Sequence, residues 1–202
     1  GKGVLSIRER VTNEGRVPMH LMWGHHPALG APFIDESCVI AIPGAEVHCT
    51  RLSKNTRLVE GVHEWPLVPG REGGSVDLSR VASIEADTVD TLRLGNLREG
   101  WFAVTNTARK VSFGMAWPLK VFPSIWFWQV YGGAYGPPWY GRTYTVALEP
   151  FSSVKASLPD AIADGSAHVL EPGASLDAHI VAVAYAGVDG VKGISADGDV
   201  TA

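Results

Sequence analysis

The sequence predicts an all-β protein, an antiparallel β-sandwich with very little helix. Glycine and proline, 23 and 13 of the 202 residues, are scattered along the whole chain. The apolar runs between them are short or alternate with polar residues, and no helical stripe longer than about three turns can be drawn. Many short strands separated by turns are typical of a sandwich. Because one sandwich commonly has roughly 200–250 residues, we expect a single domain over residues 1–202.

The strands can be assigned in order along the chain. Leu5, Ile7 and Val11 alternate with polar residues, which predicts a first strand with one solvated face. Asn13-Glu14-Gly15 then predicts a turn. Further strands are predicted at residues 38–42, 88–94, 101–106, 111–117, 125–131, 143–149 and 179–186.

Two other segments interrupt this series of strands. Residues 60–74 are rich in proline, glycine and charge, which predicts a long loop. Ser157, followed by Leu-Pro-Asp, is expected to cap a brief helix that stops at Gly165. Pro150 is expected to end strand pairing directly after residue 149.

Composition excludes several classes of function. Hydrophobic residues make up 46% and charged residues 19% of the chain, which predicts a packed core. The 17 basic and 21 acidic residues give a net charge of −4 without a basic run, so no nucleic-acid partner is expected. No apolar stretch reaches the ~18 residues of a membrane helix, and no signal peptide is visible. Cys38 and Cys49 have no metal-site spacing and predict no disulfide framework, so we expect a cytoplasmic protein.

The first candidate segment is Trp23-Gly24-His25-His26-Pro27. Pro27 removes a ladder donor, which predicts that the two histidines lie on a constrained loop. A loop histidine beside tryptophan suits proton transfer, since histidine titrates near neutrality. The alternatives are a buried histidine satisfied by backbone carbonyls and a surface pair without a task. A metal site would need a third ligand, with His63 or Glu149 as candidates, and we predict none.

The second candidate segment is the predicted strand 143–149. Alternation puts Tyr144, Val146 and Leu148 on one face and leaves Glu149 at the end of a small, polar opposite face. A carboxylate in that position suits the lining of a cleft. The alternative is an ordinary strand with a solvent-facing glutamate.

Residues 123–142 form an aromatic-rich segment with seven tryptophan, tyrosine and phenylalanine side chains. Aromatic platforms with a few polar partners suit sugars, which present apolar C–H faces and hydroxyl edges. Trp126 and Trp128 are expected to share a face, with Gln129 on the opposite one. The alternative, that many of these aromatic residues fill the core, applies to at least one face.

In their order along the chain, these segments resemble the C-terminal two-thirds of the aldose 1-epimerase (galactose mutarotase-like) family. The similarity rests on Val11-Thr12-Asn13 with Gly15, on Gly24-His25-His26-Pro27, on the aromatic strand, on Leu148-Glu149-Pro150 and on Leu170-Glu171-Pro172-Gly173. The resemblance implies a galactose mutarotase-like supersandwich. It also implies interconversion of the α and β anomers of a monosaccharide or related sugar, without a cofactor.

The resemblance further implies that His26 is the general acid and Glu149 the general base. The predicted substrate-binding residues are His25, Trp23, Trp128, Gln129, Trp139 and Arg142. The family's first third, which carries a sugar-binding arginine and histidine, has no counterpart here, so a partner chain or a missing N-terminal segment is expected to complete the fold. Gln129 is the nearest candidate for the family's sugar-binding aspartate.

Two other functions are compatible with the same residues. One is a carbohydrate-binding module that keeps the cleft without turnover. The other is a β-sandwich subunit of a larger carbohydrate-active enzyme, such as a lyase, for which a metal site would be expected. Retention of both His26 and Glu149 favours the epimerase, since a pure binder needs no acid and base pair.

Overall fold

The computed structural model describes residues 1–50, 52–187 and 190–202. Its strands, in chain order, are β1 Lys2–Thr12, β2 Met19–Leu21, β3 Ala28–Gly30, β4 Cys38–Ala41, β5 Glu46–Cys49, β6 Gly61–Glu64, β7 Leu67–Pro69, β8 Ser75–Asp77, β9 Thr88–Gly95, β10 Trp101–Asn106, β11 Val111–Ala116, β12 Ser124–Tyr131, β13 Tyr144–Phe151, β14 His168–Leu170, β15 Ser175–Ala186, β16 Gly193–Ile194 and β17 Val200–Thr201. The helices described are α1, Leu158–Ala163, and a 3-10 turn, Ile84–Ala86. The predicted all-β class is confirmed.

Two antiparallel sheets form the body of the molecule. One has five strands in the order β1-β15-β11-β10-β4, and the other has six in the order β3-β13-β12-β9-β5-β6. Their facing sides supply one continuous apolar core, with Phe102 and Ile180 from the five-stranded sheet and Phe127 and Leu148 from the six-stranded sheet. Burial of these faces stabilises the packing of one sheet on the other, so the predicted β-sandwich is confirmed.

The strand boundaries agree closely with the alternation in the sequence. β10 matches its predicted range, and β1 pairs with β15 along its whole length. After β1, the Asn13 side-chain oxygen accepts a hydrogen bond from the Gly15 N–H at 2.9 Å, which forms the predicted turn. Helix α1 begins after Ser157, whose hydroxyl accepts from the Asp160 N–H, and Gly165 follows it with a φ of 78°.

Two sequence expectations are wrong, both because tertiary pairing outweighs a local signal. Pro150 does not end its strand but pairs with Ile125 inside β13. Its carbonyl accepts from the His25 N–H at 3.0 Å, so the position that lacks an N–H faces residues 23–26 and not β12. The expected loop over residues 60–74 contains β6 and β7 instead; β6 adds to the edge at β5, and β7 forms a hairpin with β8.

The two outer faces of the sandwich differ in what covers them. On the five-stranded sheet, Trp101, Ala116 and Val183 form a small second cluster with Ile194 of β16. On the six-stranded sheet, the side that points away from the core carries five side chains that bear on the site. They are Thr91, Arg93, Trp126, Trp128 and Glu149, and together they are called the outer face below. Among the described residues no helix is long and apolar enough to cross a membrane.

Candidate active site

The site lies on the outer face, where three strands bring chemically different side chains into one row. Trp126 of β12 is opposite Glu149 of β13 on one side and opposite Arg93 of β9 on the other. Trp128 lies in the next outward row, while Phe127 and Gln129 point into the core, as the alternation predicted. The outer face therefore presents a carboxylate, two indoles and a guanidinium at adjacent positions.

Residues 23–26 dock as an extended segment against the end of β13, beyond the residues that pair with β3. The Ser152 N–H donates to the Trp23 carbonyl at 2.9 Å, and Gly24 forms an isolated bridge with Phe151. A Cβ atom on Gly24 would lie 2.1 Å from a Phe151 ring carbon, so only glycine permits this approach. Because side chains alternate along an extended segment, His25 and His26 point to opposite sides.

His26 meets Glu149 on the outer side of this segment. The distance between His26 Nε2 and Glu149 Oε1 is 3.3 Å, with 57% of the His26 side chain exposed but only 8% of the Glu149 side chain. Burial raises the pKa of Glu149 above its ordinary value, and the charges of His26 and Arg93 oppose that rise. A carboxylate whose pKa is moved toward neutrality beside an accessible imidazole is an arrangement suited to proton transfer.

Two of the predicted tryptophans join this pair. The Trp128 ring lies edge-on to His26 with 6.1 Å between the ring centroids, and Trp139 lies 5.2 Å from Trp128. Trp139 is 40% exposed on the loop between β12 and β13. Of the predicted residues, the structure therefore brings together His26, Glu149, Trp128 and Trp139.

Arg93 is a site residue that the sequence analysis missed. Its guanidinium carbon lies 3.8 Å from the centre of the Trp126 ring, whose other face stacks on Phe151 at 4.0 Å. Both faces of Trp126 are thus covered, which leaves Trp128 as the aromatic platform beside the acid and base. The alternation of Leu92 and Leu94 with Arg93 already placed this arginine outward and was the signal for it.

His25 and Trp23, predicted to bind substrate, lie on the inner side of the segment. His25 Nε2 is 3.0 Å from Glu9 Oε2 of β1, and neither atom has another hydrogen-bond partner among the described residues. Trp23 packs edge-on against Phe122, with 5.1 Å between the centroids. The structure does not bring these two residues to His26 and Glu149, because successive residues of an extended segment face opposite ways.

Gln129 lies on the other face of the sheet from the acid and base, and Arg142 lies on the loop between β12 and β13. Gln129 is fully buried on the core side of β12, where its side-chain oxygen accepts from Arg57 Nη2 at 3.0 Å and its strand neighbour is Asp90. The prediction that Gln129 contacts the sugar is corrected, since its side chain and Glu149 lie on opposite faces of the sheet. Arg142 is exposed beyond Trp139, to whose carbonyl its backbone N–H donates at 3.0 Å.

No metal centre is formed by the described part of the chain. Within it, no group of three or more histidine, cysteine, aspartate or glutamate side chains is arranged to hold an ion. His63, considered as a third ligand, instead places its Nε2 3.2 Å from the Val59 carbonyl. Cys38 and Cys49 are free and buried.

We expect the Glu9–His25 pair to hold segment 23–26 in place. Replacing Glu9 by alanine removes the partner of a half-buried histidine and should lower the free energy of unfolding by about 1 kcal/mol, a value reduced by partial solvent exposure. Urea titration measures this change. The control is Arg10→Ala, at the next residue on β1. It breaks the exposed ion pair between Arg10 and Asp177 and should change the free energy of unfolding little. Equal effects of the two substitutions would contradict an anchoring role for Glu9.

Comparison with known proteins adds a family and a fold. A family described as a domain of unknown function (DUF4432) matches residues 1–182. No curated protein matches the chain in sequence. Solved structures with similar folds include the Slr1438 protein from Synechocystis, with a TM-score of 0.62 and 16% identity over 91% of this chain and 51% of that one.

Two further structures carry names that refer to sugar chemistry. A proposed aldose 1-epimerase from Klebsiella pneumoniae has a TM-score of 0.62 and 14% identity, covering 89% of this chain and 42% of that one. A galactose mutarotase related enzyme from Lactobacillus acidophilus has a TM-score of 0.59 and 16% identity, covering 94% and 60%. At these identities the likeness shows the fold, a galactose mutarotase-like β-sandwich. The chain spans about half the length of these three structures.

Proposed function

The chain belongs to the DUF4432 family, a domain of unknown function, and we propose that this member is an aldose 1-epimerase-like isomerase that interconverts the α and β anomers of a sugar. The observation that carries the proposal is the pairing of His26 with the buried Glu149 beside the Trp128 platform. The names of the structures with the same fold point to the same chemistry.

The spacing of the pair suits a reaction at a single carbon. Mutarotation needs proton transfer at the anomeric hydroxyl and at the ring oxygen, and both oxygens are bonded to the anomeric carbon. Two neighbouring catalytic groups can therefore serve both oxygens from one place. His26 Nε2 and Glu149 Oε1 are such neighbours, 3.3 Å apart.

In the proposed reaction Glu149 takes the proton of the anomeric hydroxyl while protonated His26 donates to the ring oxygen. The bond between the anomeric carbon and the ring oxygen breaks, leaving an aldehyde and a free hydroxyl. After rotation about the adjacent carbon–carbon bond, the hydroxyl attacks the other face of the carbonyl. His26 then recovers its proton and Glu149 returns the other. Nothing is oxidised and no group is transferred.

The protein environment prepares each group for its step. Burial holds the pKa of Glu149 above its ordinary value, which makes the carboxylate a stronger base than a surface glutamate. Exposure of His26 leaves its ring open to a substrate on the outer face. Trp128, with Trp139 next to it, offers an apolar surface to the C–H face of a sugar ring.

Polarimetry of freshly dissolved α-D-glucose and α-D-galactose tests the proposal. The native protein is expected to speed the approach to the equilibrium rotation in proportion to its concentration, above the rate in buffer and with heat-denatured protein. Calorimetric titration with the same sugars runs in parallel. Binding without any acceleration would overturn the isomerase and favour a carbohydrate-binding module.

A further inference from the structure

A second feature of the outer face is a cavity of about 720 Å³ next to the proposed site. Its lining includes His48, Thr91, Arg93, Lys155 and Asp160. Pockets for small molecules commonly measure roughly 300–1,000 Å³. Because this cavity contains neither His26 nor Glu149, its volume comes in addition to the space over Trp128.

The sheet register gives the position of the cavity relative to the acid and base. Thr91 is opposite Trp128, and Arg93 is opposite Trp126, on the strand β9. Glu149 lies on β13, two strands away from β9 across β12. At about 4.8 Å between neighbouring strands, β9 is therefore about 10 Å from the strand that bears Glu149. Trp128 on β12 therefore lies between the strand of Glu149 and the strand of Thr91, so a sugar that extends from Glu149 across Trp128 extends toward this cavity.

The charges that line the cavity are balanced by neighbours. Lys155 Nζ lies 3.3 Å from Asp164 Oδ2, and His48 Nε2 lies 3.6 Å from Glu46 Oε2. The Arg93 guanidinium stacks on Trp126. Such a lining offers hydrogen-bond donors and acceptors without a concentration of positive charge. It therefore favours a neutral ligand rich in hydroxyl groups over a phosphate or sulfate.

We propose that the substrate is the reducing end of a neutral disaccharide or longer oligosaccharide, with its second sugar unit in this cavity. The inference rests on the proposed function. A reducing-end ring keeps its anomeric carbon free for His26 and Glu149 and is joined to the rest of the chain through its other carbons. A second unit joined through a carbon that faces the cavity lies in it, and its binding energy assists catalysis at the first ring.

Anomeric exchange followed by proton NMR compares maltose, cellobiose and lactose with glucose, galactose and glucose 6-phosphate. We expect kcat/KM for at least one disaccharide to exceed that of every monosaccharide by about tenfold or more. The variant Thr91→Trp places a bulky side chain in the cavity beside Trp128 and should remove this advantage. Leu5→Trp, on an exposed position of β1 in the other sheet, is the matched control and should keep it.

The outcomes separate the two proposals. Acceleration of monosaccharides without a disaccharide advantage, or with unchanged preference in Thr91→Trp, would overturn the oligosaccharide inference alone. A preference for glucose 6-phosphate would overturn the neutral second unit, since it would show that the cavity binds an anionic substituent. If no sugar is accelerated, the isomerase is overturned. Calorimetry then still tests whether the cavity binds a second sugar unit. Tighter binding of a disaccharide than of glucose, lost in Thr91→Trp, supports this role, and equal binding of the two sugars contradicts it.

Discussion

Replacing Glu149 by glutamine is expected to lower kcat/KM for anomer interconversion by about 10²–10⁴-fold without unfolding the protein. The amide keeps the shape of the carboxyl group beside His26 Nε2 but cannot accept a proton from the anomeric hydroxyl. Polarimetry measures the loss, and sugar affinity by calorimetry should change far less. Glu171→Gln is the matched control, since Glu171 also precedes a proline but is exposed, directly after β14.

The same substitution should maintain or raise stability, and the sign follows from the pKa of Glu149. Burial raises this pKa in the folded state, so the folded protein holds the proton more tightly than the unfolded chain does. The contribution of the group to stability is then fully present below the unfolded-state pKa and is lost as the pH rises through the folded-state pKa. Glutamine does not ionise, so the variant should gain stability relative to the native protein as the pH rises across that window. Thermal unfolding at several pH values measures this gain.

A catalytic base must be ionised, which links the raised pKa to the rate. The native rate is expected to fall on the acid side of a midpoint that lies above the ordinary pKa of a glutamate. A rate that is flat over that range, or a Glu149→Gln variant with native activity, would exclude Glu149 as the base. A large loss of unfolding free energy in the variant would instead indicate a structural role.

Local pattern predicted several residues that face the proposed site but not Arg93, and long-range contacts decided where it failed. Alternation placed Trp126 and Trp128 together and put Glu149 on the polar face of its strand; the same period of two puts Arg93 outward, although Arg93 was not predicted as a site residue. Alternation also placed Gln129 on the face opposite these two tryptophans. Its side chain lies in the interior and not beside Glu149; its oxygen accepts from Arg57, more than 70 residues earlier, and no local pattern reveals that partner.

His25 and residues 60–74 illustrate the same limit. The residue pattern by itself does not separate the two adjacent histidines, although the family resemblance assigns His26 as the acid. The docking of residues 23–26 against β13 directs His26 to Glu149 and His25 to Glu9. Likewise, the proline and glycine residues of 60–74 signal a loop, but the edge at β5 accepts β6 as a further strand. Short edge strands depend on the neighbour that they pair with more than on their own composition.

His26→Gln is expected to reduce kcat/KM by about 10²–10⁴-fold as well, because the substitution removes the proposed proton donor to the ring oxygen. It should also change the pH dependence of the residual activity. The charge of His26 lowers the pKa of Glu149, so its removal leaves burial less opposed and raises that pKa further. The acid side of the residual profile is therefore expected to move to higher pH. Polarimetry across the pH range measures both changes.

The shift separates a proton-transfer pair from two independent side chains. The control replaces His20, which is exposed on β2, by glutamine. If the effect is specific to His26 and Glu149, this replacement changes neither the rate nor its pH profile. In the double variant His26→Gln with Glu149→Gln, the combined loss should be smaller than the product of the two single losses, since each group depends on the other in one concerted transfer. Two results together would contradict this coupling: a double-variant loss equal to the product of the single losses, and an acid side of the pH profile that does not move. They would mean that the 3.3 Å contact between His26 and Glu149 does not couple the two groups in catalysis.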